Sequence, residues 1–473
     1  MLRTKIVCTL GPASSDPSLL EALARTGMDV ARINMSHGDR ETHRATLRAV
    51  REAGRAVGRK VGVLVDLQGP KIRVGKLKAP LNLEPGSTIV FAPEGRERGD
   101  ELPTTYEHLA HDVGEGDQVL LDDGLLEIVC TGTEGDRASF EVIRGGVLSS
   151  NKGINIPSGT LSASSLTAKD LEDLDFALAE EADFVGLSFV RAAEDVTALK
   201  ERVRGRALVV AKIEMARAMS QVDAILETSD LAMVARGDLG VELPFEQVPL
   251  AQKRIIQLAN YHARPVITAT QMLESMIENP RPTRAEASDV ANAVLDGTDA
   301  VMLSGETAVG KYPVQAVDAL VRIIREIESS GALEAGPRYL NMDDHTVPRS
   351  GATRREHAVA AATVDASRDL AAAGVLVITR SGFSARLVAS HRPGVPIFAV
   401  TTDPATLGQL AAVWGVRPVL AEDVEISYEG LTDFGRRVMR EAGCGVEGDA
   451  ILVTAGFPFH QSGTTNTMRV ESL

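Results

Sequence analysis

The sequence predicts an α/β protein: a TIM (β/α)8 barrel with an inserted small β-barrel lid domain and a C-terminal α/β domain. Eight short apolar runs, each followed by a helical pattern, indicate parallel strands that are buried on both faces. About a hundred residues within this alternation carry turn pairs and strand patterns without helical periodicity, which indicates an all-β insertion. A doubly wound sheet would need a glycine-rich first turn, and the first turn here, GPASSD, lacks that pattern.

The eight predicted strands fall into three before the insertion and five after it. Ser14 or Ser15 is predicted to cap the first helix, which has Pro17 near its first turn. A long helix is predicted over 40–57, and an amphipathic helix over 216–227 separates the fifth and sixth strands. The predicted strands cover residues 5–10, 29–36, 61–67, 183–190, 207–211, 231–235, 265–269 and 300–303.

Three domains are predicted from these segments. The barrel comprises 1–70 and 167–330, the insertion covers 71–166, and the C-terminal domain covers 350–473, after a polar, turn-rich boundary over 329–356. Further strands are predicted at 88–92, 118–121, 125–130 and 138–143 in the insertion and at 375–379, 397–401 and 451–454 in the C-terminal domain, where helices are predicted to end near Ala373 and to begin after Ser384.

The composition narrows the range of partners. The net charge of −15, from 65 acidic and 50 basic residues, argues against binding to a nucleic-acid backbone. Cys8, Cys130 and Cys444 are odd in number and lack metal-binding spacing, so reduced thiols are expected. The N-terminal apolar run is too short for a signal peptide, and no run approaches ~18 apolar residues. We therefore expect a soluble, cytoplasmic protein without a membrane or nucleic-acid partner.

Charged and hydroxylated residues follow the barrel strands at their carboxyl ends, where parallel barrels place their chemistry. Strand alternation turns Lys212 and Glu214 to the same side, and Asp238 follows the next strand. Two carboxylates beside an ammonium group suit a divalent cation that takes its other ligands from substrate and water. The full set is Arg32, Asn34, Ser36, His37, Asp66, Lys71, Arg73, Ser188, Arg191, Lys212, Glu214, Arg236, Asp238, Thr268, Thr270, Gln271, Ser304 and Glu306.

Arg32, Arg73 and Lys212 are cations suited to phosphate, so the set indicates phosphoryl transfer, in which positioning and charge neutralisation do most of the catalysis. Lys212 is predicted to be unpaired until an anionic substrate arrives. Gly237 is predicted to leave its N–H free for a substrate carboxylate at the start of a short helix. His37 is the only histidine at this rim and is predicted to contact a nucleotide phosphate.

Each of these residues also has a simpler explanation. The charged clusters could be solvated loop residues, and Arg32 could form a purely structural ion pair with Asp66. Thr270 could be an ordinary strand residue, and the segment 304–306 could be a capped turn. The convergence of the whole set on one rim favours a functional site over these separate explanations.

Nine segments together resemble the pyruvate kinase family. They are RINMSHG (32–38), the turn over 66–70, NKGINIP (151–157), LSFVR (187–191), AKIE (211–214), VARGDLGVELP (234–244), TATQMLESM (268–276), LSGETAVGKYP (303–313) and NTMRV (466–470). The resemblance extends nearly from end to end and includes the β insertion. It implies Mg2+-dependent phosphoryl transfer from phosphoenolpyruvate to ADP, with Mn2+ as an alternative cation, in an allosterically regulated homotetramer that completes glycolysis.

The resemblance also implies roles for individual residues. Glu214 and Asp238 match the Mg2+ ligands, Lys212 matches the lysine that stabilises the phosphoryl group, and Arg32 matches the arginine on that phosphate. Gly237, Asp238 and Thr270 match the positions that bind the substrate carboxylate, with Thr270 near the enolate carbon. The remaining matches are a proton route through Thr270, Ser304, Glu306 and water, and nucleotide contacts from His37, Arg73 and Lys152.

One departure from the family pattern concerns the monovalent cation. Asn34, Ser36 and Asp66 match K+ positions, but Leu67 stands where many members have threonine and Lys71 where they have glutamate. The loss of an oxygen ligand and the gain of an ammonium predict an enzyme that does not require K+. Alternatively, Lys71 faces solvent and K+ still binds.

The loop over 379–384 in the C-terminal domain is predicted to bind the phosphate of an effector. Thr379, Ser381 and Ser384 bring hydroxyls to the start of a helix, a setting that favours phosphate. The resemblance matches this loop to the family's effector loop, although an ordinary capped turn would look the same. Fructose bisphosphate, ribose 5-phosphate and AMP all remain open, because the segment 456–460 does not identify a ligand.

Two other functional classes are compatible with these residues. A Mg2+-dependent lyase or aldolase could stabilise a pyruvate enolate on a similar barrel, but it would release pyruvate without ADP. A metabolite-sensing relative without catalysis is disfavoured because Lys212, Glu214 and Asp238 are all retained.

Overall fold

The computed structural model describes residues 2–157, 162–333, 351–457 and 463–473, with the side chains of 351–353 excepted. Most of the predicted boundary at 329–356, and residues 458–460 of the segment 456–460, lie outside the described residues. Within the described ranges, no helix combines the length and the apolar character needed to cross a membrane.

Residues 5–66 form the first three strands of the barrel. The strands are β1 (Lys5–Thr9), β2 (Val30–Asn34) and β3 (Gly62–Asp66), and the helices are α1 (Pro17–Thr26) and α2 (Arg40–Ala56). Asp16, rather than the predicted Ser14 or Ser15, caps α1, and its carboxylate accepts from the amides of Ser18 and Leu19. Ser14 is unavailable because its hydroxyl closes the preceding turn on Gly11.

The β insertion (β4–β11) follows β3. Its elements are β4 (Leu81–Leu83), β5 (Thr88–Pro93), β6 (Leu102–Thr104), α3 (Leu109–Asp112), β7 (Gln118–Leu121), β8 (Leu126–Glu134), β9 (Arg137–Arg144), β10 (Gly146–Leu148) and β11 (Ile154–Asn155). Hydrogen bonds join six strands in the order β11-β7-β8-β9-β5-β6 and pair β10 with β4, rather than closing a single ring. The β5–β6 pair is parallel and the others are antiparallel. The β insertion has a separate hydrophobic core, in which the rings of Phe91 and Phe140 pack edge to face.

The remaining five barrel strands alternate with helices after the insertion. The strands are β12 (Phe184–Leu187), β13 (Leu208–Ile213), β14 (Leu231–Ala235), β15 (Val266–Ala269) and β16 (Ala300–Leu303). The helices are α4 (Ala168–Ala179), α5 (Ala193–Val203), α6 (Ala216–Ser220), α7 (Val222–Thr228), α8 (Arg236–Glu242), α9 (Val248–Tyr261), α10 (Arg284–Asp296), α11 (Gly305–Ala308) and α12 (Pro313–Ser329). The helix predicted over 216–227 is therefore two helices, interrupted at Gln221.

All eight barrel strands are parallel and close in the order β1-β16-β15-β14-β13-β12-β3-β2, which confirms the predicted barrel. Every residue of β1, β3, β12, β14, β15 and β16 is buried, as expected for strands covered on both faces. Because all carboxyl ends point the same way, the polar residues that follow the strands are brought to one rim.

The C-terminal domain is a five-stranded sheet in the order β19-β18-β17-β20-β21, with β21 antiparallel. Its elements are α13 (Gly351–Asp369), β17 (Gly374–Ile378), α14 (Phe383–Ser390), β18 (Ile397–Thr401), α15 (Pro404–Gln409), β19 (Val416–Leu420), α16 (Tyr428–Glu441), β20 (Ala450–Ala455) and β21 (Thr467–Ser472). The edge strands β19 and β21 were not predicted, because Pro418 and the polar residues of β21 obscure the strand pattern. Helix α14 begins at Phe383, so Ser384 lies inside it.

The C-terminal domain packs against the amino ends of the barrel strands. The contact contains a buried ion pair between Arg392 and Asp299 and two neighbours of that pair, and the four residues are here called the junction (Asn260, Asp299, Arg392 and Trp414). Arg392 donates to both carboxylate oxygens of Asp299, at 2.9 and 3.0 Å, and to Asn260 Oδ1 at 2.7 Å. Its guanidinium lies 5.0 Å from the ring centre of Trp414. This network fixes the C-terminal domain on the barrel face opposite the polar rim.

Candidate active site

Lys212, at the end of β13, lies at the centre of a buried polar cluster. Its Nζ is 2.5 Å from Ser188 Oγ, 3.3 Å from Asp66 Oδ1 and 3.4 Å from Glu214 Oε2. Burial alone would lower the pKa of Lys212, but the carboxylates of Asp66 and Glu214 outweigh it and raise that pKa. The prediction that Lys212 is unpaired is therefore wrong, because its partners come from the ends of β3, β12 and its own strand β13.

Glu214 lies on the same side as Lys212, as strand alternation predicts, and is only 2% exposed. Its Oε1 accepts from the amide of Phe189 at 2.6 Å, while its buried Oε2 has no hydrogen-bond partner in the described part of the chain. Burial raises the pKa of Glu214 to about 7; the ammonium of Lys212 opposes this rise, and the charge of Asp238 adds to it. A buried carboxylate oxygen without a donor fits an absent cation.

Asp66 and Arg32 form the ion pair that the sequence left open as a structural alternative. Asp66 Oδ2 is 2.8 Å from Arg32 Nε and 2.6 Å from Nη2, and Arg32 Nη1 donates to Thr9 Oγ1 at 2.9 Å. Burial alone would raise the pKa of Asp66, but Lys212 and Arg32 lower it. Gly186 makes room for this carboxylate, since a Cβ there would lie 2.7 Å from Asp66 Oδ1. The pair holds the guanidinium beside Lys212.

The positions predicted to bind the substrate carboxylate meet at the start of α8. The amide of Gly237 donates to Thr270 Oγ1 at 2.8 Å, and Thr270 Oγ1 donates to the carbonyl of Ala269 at 2.7 Å. The N–H of Gly237 that was predicted to be free is therefore occupied by Thr270, the residue that the resemblance places at the same site. Thr270 and Gln271 have φ of 63° and 54°, an unfavourable backbone for non-glycine residues that is typical of functional sites. Asp238 is exposed on the same helix.

Ser304 and Glu306 lie beyond β16, but they do not form the predicted proton route with Thr270 by direct hydrogen bonds. Glu306 is 2% exposed, and its carboxylate accepts from the amides of Leu273 and Ser304 at 3.0 and 2.7 Å. Ser304 Oγ is buried and lacks a hydrogen-bond partner among the residues described. Glu306 therefore braces the two loops, because both of its carboxylate oxygens are taken by backbone donors.

A cleft of about 260 Å³ separates the barrel rim from the β insertion. Lys71, Arg73 and Lys152 line it together with Asp238, and Lys152 is 2.7 Å from Asp122. His37 is not among the residues that line the cleft; burial lowers its pKa, and the charges of Lys71, Arg73 and Arg32 lower it further. Burial also lowers the pKa of Lys71, and Arg73 and Lys212 lower it further. The predicted nucleotide contacts thus share one cationic region.

Asn34, Ser36 and Asp66 lie together at the ends of β2 and β3. Asn34 pairs with Asp66 across the two strands, and Asn34 Oδ1 accepts from the amide of Ser36 at 3.1 Å. The side chain of Leu67 is buried, and its carbonyl accepts from Ser188 Oγ at 2.8 Å. No group of three or more His, Cys, Asp or Glu side chains arranged for a metal occurs in the described ranges, so any cation here would take further ligands from substrate or water.

Two rim residues behave differently from the sequence expectation. The sequence analysis assigns Ser188 no role beyond its position at the rim. In the structure, its hydroxyl contacts Lys212 Nζ and donates to the carbonyl of Leu67. Arg236 turns away from the cleft and is held by Asp289 at 2.7 Å and by the carbonyl of Thr270 at 2.6 Å. A sequence pattern places both at strand ends, but only side-chain packing determines which one reaches the cluster.

The predicted effector residues line a pocket of about 400 Å³ in the C-terminal domain. Thr379 and Ser381 lie in the loop between β17 and α14. Ser384 also lines the pocket, but its Oγ is 2.6 Å from Thr465 Oγ1, so this hydroxyl already has a partner.

Comparison with known proteins agrees with this geometry. The family models "Pyruvate kinase, barrel domain" and "Pyruvate kinase, alpha/beta domain" match residues 1–317 and 357–471. Pyruvate kinases of Mycobacterium intracellulare and Mycobacterium tuberculosis are each 45% identical, over 100% of this chain and 98% of their own length. That of Sporosarcina psychrophila is 42% identical over 99% of this chain and 80% of its own length. The chain belongs to the pyruvate kinase family of phosphotransferases.

Proposed function

We propose that the chain transfers a phosphoryl group from phosphoenolpyruvate to ADP in a Mg2+-dependent reaction, giving pyruvate and ATP in the last step of glycolysis. The observation that carries this proposal is the cluster in which Lys212 Nζ lies 3.3 Å from Asp66 Oδ1 and 3.4 Å from the unpartnered Glu214 Oε2. A buried ammonium next to unsatisfied carboxylate oxygens suits a reaction that relies on positioned charge.

Lys212 and Arg32 are proposed to hold the phosphoryl group during transfer. Asp66 and Ser188 fix the Lys212 ammonium, and Asp66 also fixes the Arg32 guanidinium, so neither cation has to be reorganised when substrate binds. The amide of Gly237 would bind the substrate carboxylate after exchanging its hydrogen bond with Thr270. Preorganised donors of this kind are worth more in a site that excludes water.

The proton that converts the enolate to pyruvate is proposed to arrive through Thr270. Its hydroxyl lies at the start of α8 with the groups assigned to the carboxylate. Ser304 and Glu306 would complete the route through intervening water, since no direct hydrogen bond links them to Thr270.

Glu214 and Asp238 are proposed to hold Mg2+, or Mn2+ in its place, because both are oxygen ligands and Glu214 Oε2 forms no hydrogen bond with a described residue, although Lys212 Nζ lies 3.4 Å away. When bound, the cation would supply positive charge to the phosphate oxygens. The nucleotide phosphates are assigned to the cleft, with contacts from His37, Arg73 and Lys152. The β insertion would act as a lid over this cleft and exclude water on closing.

We propose that the enzyme does not require K+. Lys71 lines the cleft within the electrostatic reach of Asp66 and Asp238, so its ammonium is suited to supply the charge that K+ provides in relatives with glutamate at this position. Leu67 contributes a buried apolar side chain instead of a threonine hydroxyl. Asn34, Ser36 and Asp66 would then serve as a structural group rather than as a complete K+ site.

The wider organisation is also a proposal. We infer a barrel over 1–70 and 167–330, a lid over 71–166 and a C-terminal regulatory domain over 350–473, supported by separate hydrophobic cores. A phosphorylated effector is assigned to Thr379, Ser381 and Ser384. We propose a cytoplasmic homotetramer, a state supported by the family and by the edge strand β21, which offers an unpaired backbone edge.

A coupled lactate dehydrogenase assay tests the reaction. With phosphoenolpyruvate as substrate, we expect pyruvate only when both ADP and Mg2+ are present. The same assay with K+ replaced by tetramethylammonium tests the monovalent cation. Pyruvate formed without ADP would contradict the proposal and favour the lyase or aldolase class.

A further inference from the structure

The residues at the end of β15 and just beyond it, here called the 269–272 segment, are held by a buried arginine. Arg236 is the first residue of α8 and is 8% exposed. Its Nε donates to the carbonyl of Ala269 at 3.2 Å, and its Nη2 donates to the carbonyl of Thr270 at 2.6 Å and to Met272 Sδ at 2.8 Å. One planar, rigid guanidinium therefore contacts both ends of this segment.

The charge of Arg236 is balanced outside the 269–272 segment. Its Nη1 donates to Asp289 Oδ1 at 2.8 Å and to Gln252 Oε1 at 3.3 Å. A buried cation needs such partners, because an unpaired charge removed from water is costly. Asp289 therefore neutralises Arg236, and the contacts with the 269–272 segment are not needed to satisfy its charge.

The backbone of the 269–272 segment is strained and needs such support. Thr270 and Gln271 have φ of 63° and 54°, and the left-handed region is unfavourable for residues that carry a Cβ. Strain of this kind persists only where the surrounding structure enforces it. Arg236 binds the carbonyl before the strained pair and the side chain after it, so its hydrogen bonds supply part of that enforcement.

The hydroxyl of Thr270 is oriented by two groups that are both linked to Arg236. It donates to the carbonyl of Ala269 at 2.7 Å, and the same carbonyl accepts from Arg236 Nε. It accepts from the amide of Gly237 at 2.8 Å, and Gly237 follows Arg236 directly in α8. A displacement of Arg236 would therefore disturb both partners of this hydroxyl.

We infer that Arg236 is a positioning residue, which holds Thr270 where its hydroxyl can deliver a proton to the substrate. In that step the Thr270 O–H bond breaks as a C–H bond forms at C3 of the enolate, and the enolate oxygen becomes the carbonyl oxygen of pyruvate. Solvent then returns a proton to Thr270 Oγ1, with net uptake of one proton. The role in proton delivery rests on the proposed function, whereas the support of the 269–272 segment does not.

Hydrogen–deuterium exchange of the full chain tests the support of the segment without turnover. Arg264 is the matched control for Arg236, because it also donates to two carbonyls, those of Leu226 and Glu227, but precedes β15 instead of following the rim. We expect amide exchange in a peptide spanning 269–276 to be about tenfold faster in Arg236→Met and unchanged in Arg264→Met. Parental exchange in Arg236→Met would overturn the inference, whether or not the parent makes pyruvate.

Arg236→Lys tests the positioning role with the charge retained. Lysine can still pair with Asp289 but lacks the planar fork, so the fold should persist while the segment loosens. Loss of the methyl protons of pyruvate in D2O, followed by 1H NMR with Mg2+ and ATP present, reports proton transfer at C3. Quenched single turnovers with phosphoenolpyruvate and ADP report the formation of ATP. We expect proton transfer to slow roughly 10²-fold and ATP formation to fall less than about threefold.

Arg264→Lys is the control for these two assays and should retain both rates. Parental proton transfer in Arg236→Lys, or an equal loss of proton transfer and ATP formation, would contradict the positioning role. A parent that shows neither reaction would refute the proposed function and with it the role in proton delivery. In that case the hydrogen–deuterium exchange result would still decide whether Arg236 supports the 269–272 segment.

Discussion

Two carboxylates at opposite ends of the barrel are equally buried but differ in how fully they are satisfied. Asp299, at the junction, accepts two bonds from Arg392, one from the amide of Val266 and one from the amide of Trp414. Glu214, at the rim, accepts one bond on Oε1 and none on Oε2 from any described residue. Their exposures are 3% and 2%. Burial alone therefore does not distinguish a structural charge from a functional one.

The difference between them has a thermodynamic basis. Removing a charge from water is costly unless donors replace the lost hydration. The junction recovers this cost within the chain, so Asp299 stabilises the fold. At the rim, the described residues do not fully replace the lost hydration of Glu214. A bound cation or phosphate would supply the missing interactions.

Lys212→Met should produce the largest effect at the rim. Loss of the ammonium is expected to lower kcat by roughly 10³-fold, because no other described group replaces its charge next to Glu214. Steady-state kinetics in the coupled assay measure this loss. Lys200→Met is the matched control, since Lys200 pairs with Asp230 on the outer helix layer and should retain nearly full kcat. Equal losses in the two variants would show that the effect is not specific to the rim.

Arg392→Met should produce the largest loss of stability at the junction. Breaking the buried pair leaves Asp299 without its cation and is expected to lower the free energy of unfolding by about 3–5 kcal/mol. Trp414, the one tryptophan in the chain, reports this change through its fluorescence in urea titrations. Arg322→Met, which removes an exposed pair with Asp318, should change stability little. A negligible loss in Arg392→Met would refute the structural role of the junction.

Asp183 sharpens the comparison, because it is a buried carboxylate on the junction side that accepts a hydrogen bond from the amide of Val63 at 2.8 Å. A Cβ at Gly408 of α15 would lie 1.8 Å from Asp183 Oδ1, so the C-terminal domain buries this group. Burial raises its pKa to about 6 from 3.8. The folded state thus favours the protonated form, and this contribution to stability is fully present below about pH 4 and is lost as pH rises through about 6.

Asp183→Asn should therefore remove a pH dependence rather than an interaction. Between pH 4 and pH 7, the titration of Asp183 is expected to lower the free energy of unfolding of the parent by on the order of 2–3 kcal/mol. The variant should lack this decrease. Urea titrations across this range measure it. Asp318→Asn, at an exposed position, should keep the parental slope. The same slope in all three proteins would contradict the raised pKa.

The smallest effect is expected for the monovalent cation. Replacing K+ with tetramethylammonium should change the initial rate less than about twofold if, as proposed, Lys71 supplies the charge of K+. Lys71→Glu should make the rate depend on K+. A parental rate that collapses in tetramethylammonium would mean that Asn34, Ser36 and Asp66 still form a K+ site.

The sequence predicts best those features that repeat along the chain. Eight apolar strands, the insertion after β3 and the rim residues all follow from periodicity and strand ends, and all eight strands form. Strand alternation also places Lys212 and Glu214 on the same side. These features depend on local patterns, which a single sequence contains.

Features that depend on distant partners could not be predicted. The hydrogen bond between Gly237 and Thr270 joins residues 33 positions apart, and Ser188 reaches Lys212 from a neighbouring strand. Arg236 resembles a site residue by position but is held by Asp289. The edge strands β19 and β21 lack a clear pattern because each has only one neighbour in the sheet. Side-chain packing, rather than propensity, decides all of these outcomes.

We propose above that Glu214 and Asp238 hold one divalent cation beside Lys212. Electron paramagnetic resonance of Mn2+ titrated into the parent and into Glu214→Gln, Asp238→Asn and Asp289→Asn tests it without turnover. We expect the first two variants each to weaken Mn2+ binding at least about tenfold, whereas Asp289→Asn, which changes the partner of Arg236, should bind Mn2+ as the parent does. Unchanged Mn2+ affinity in both Glu214→Gln and Asp238→Asn would contradict it.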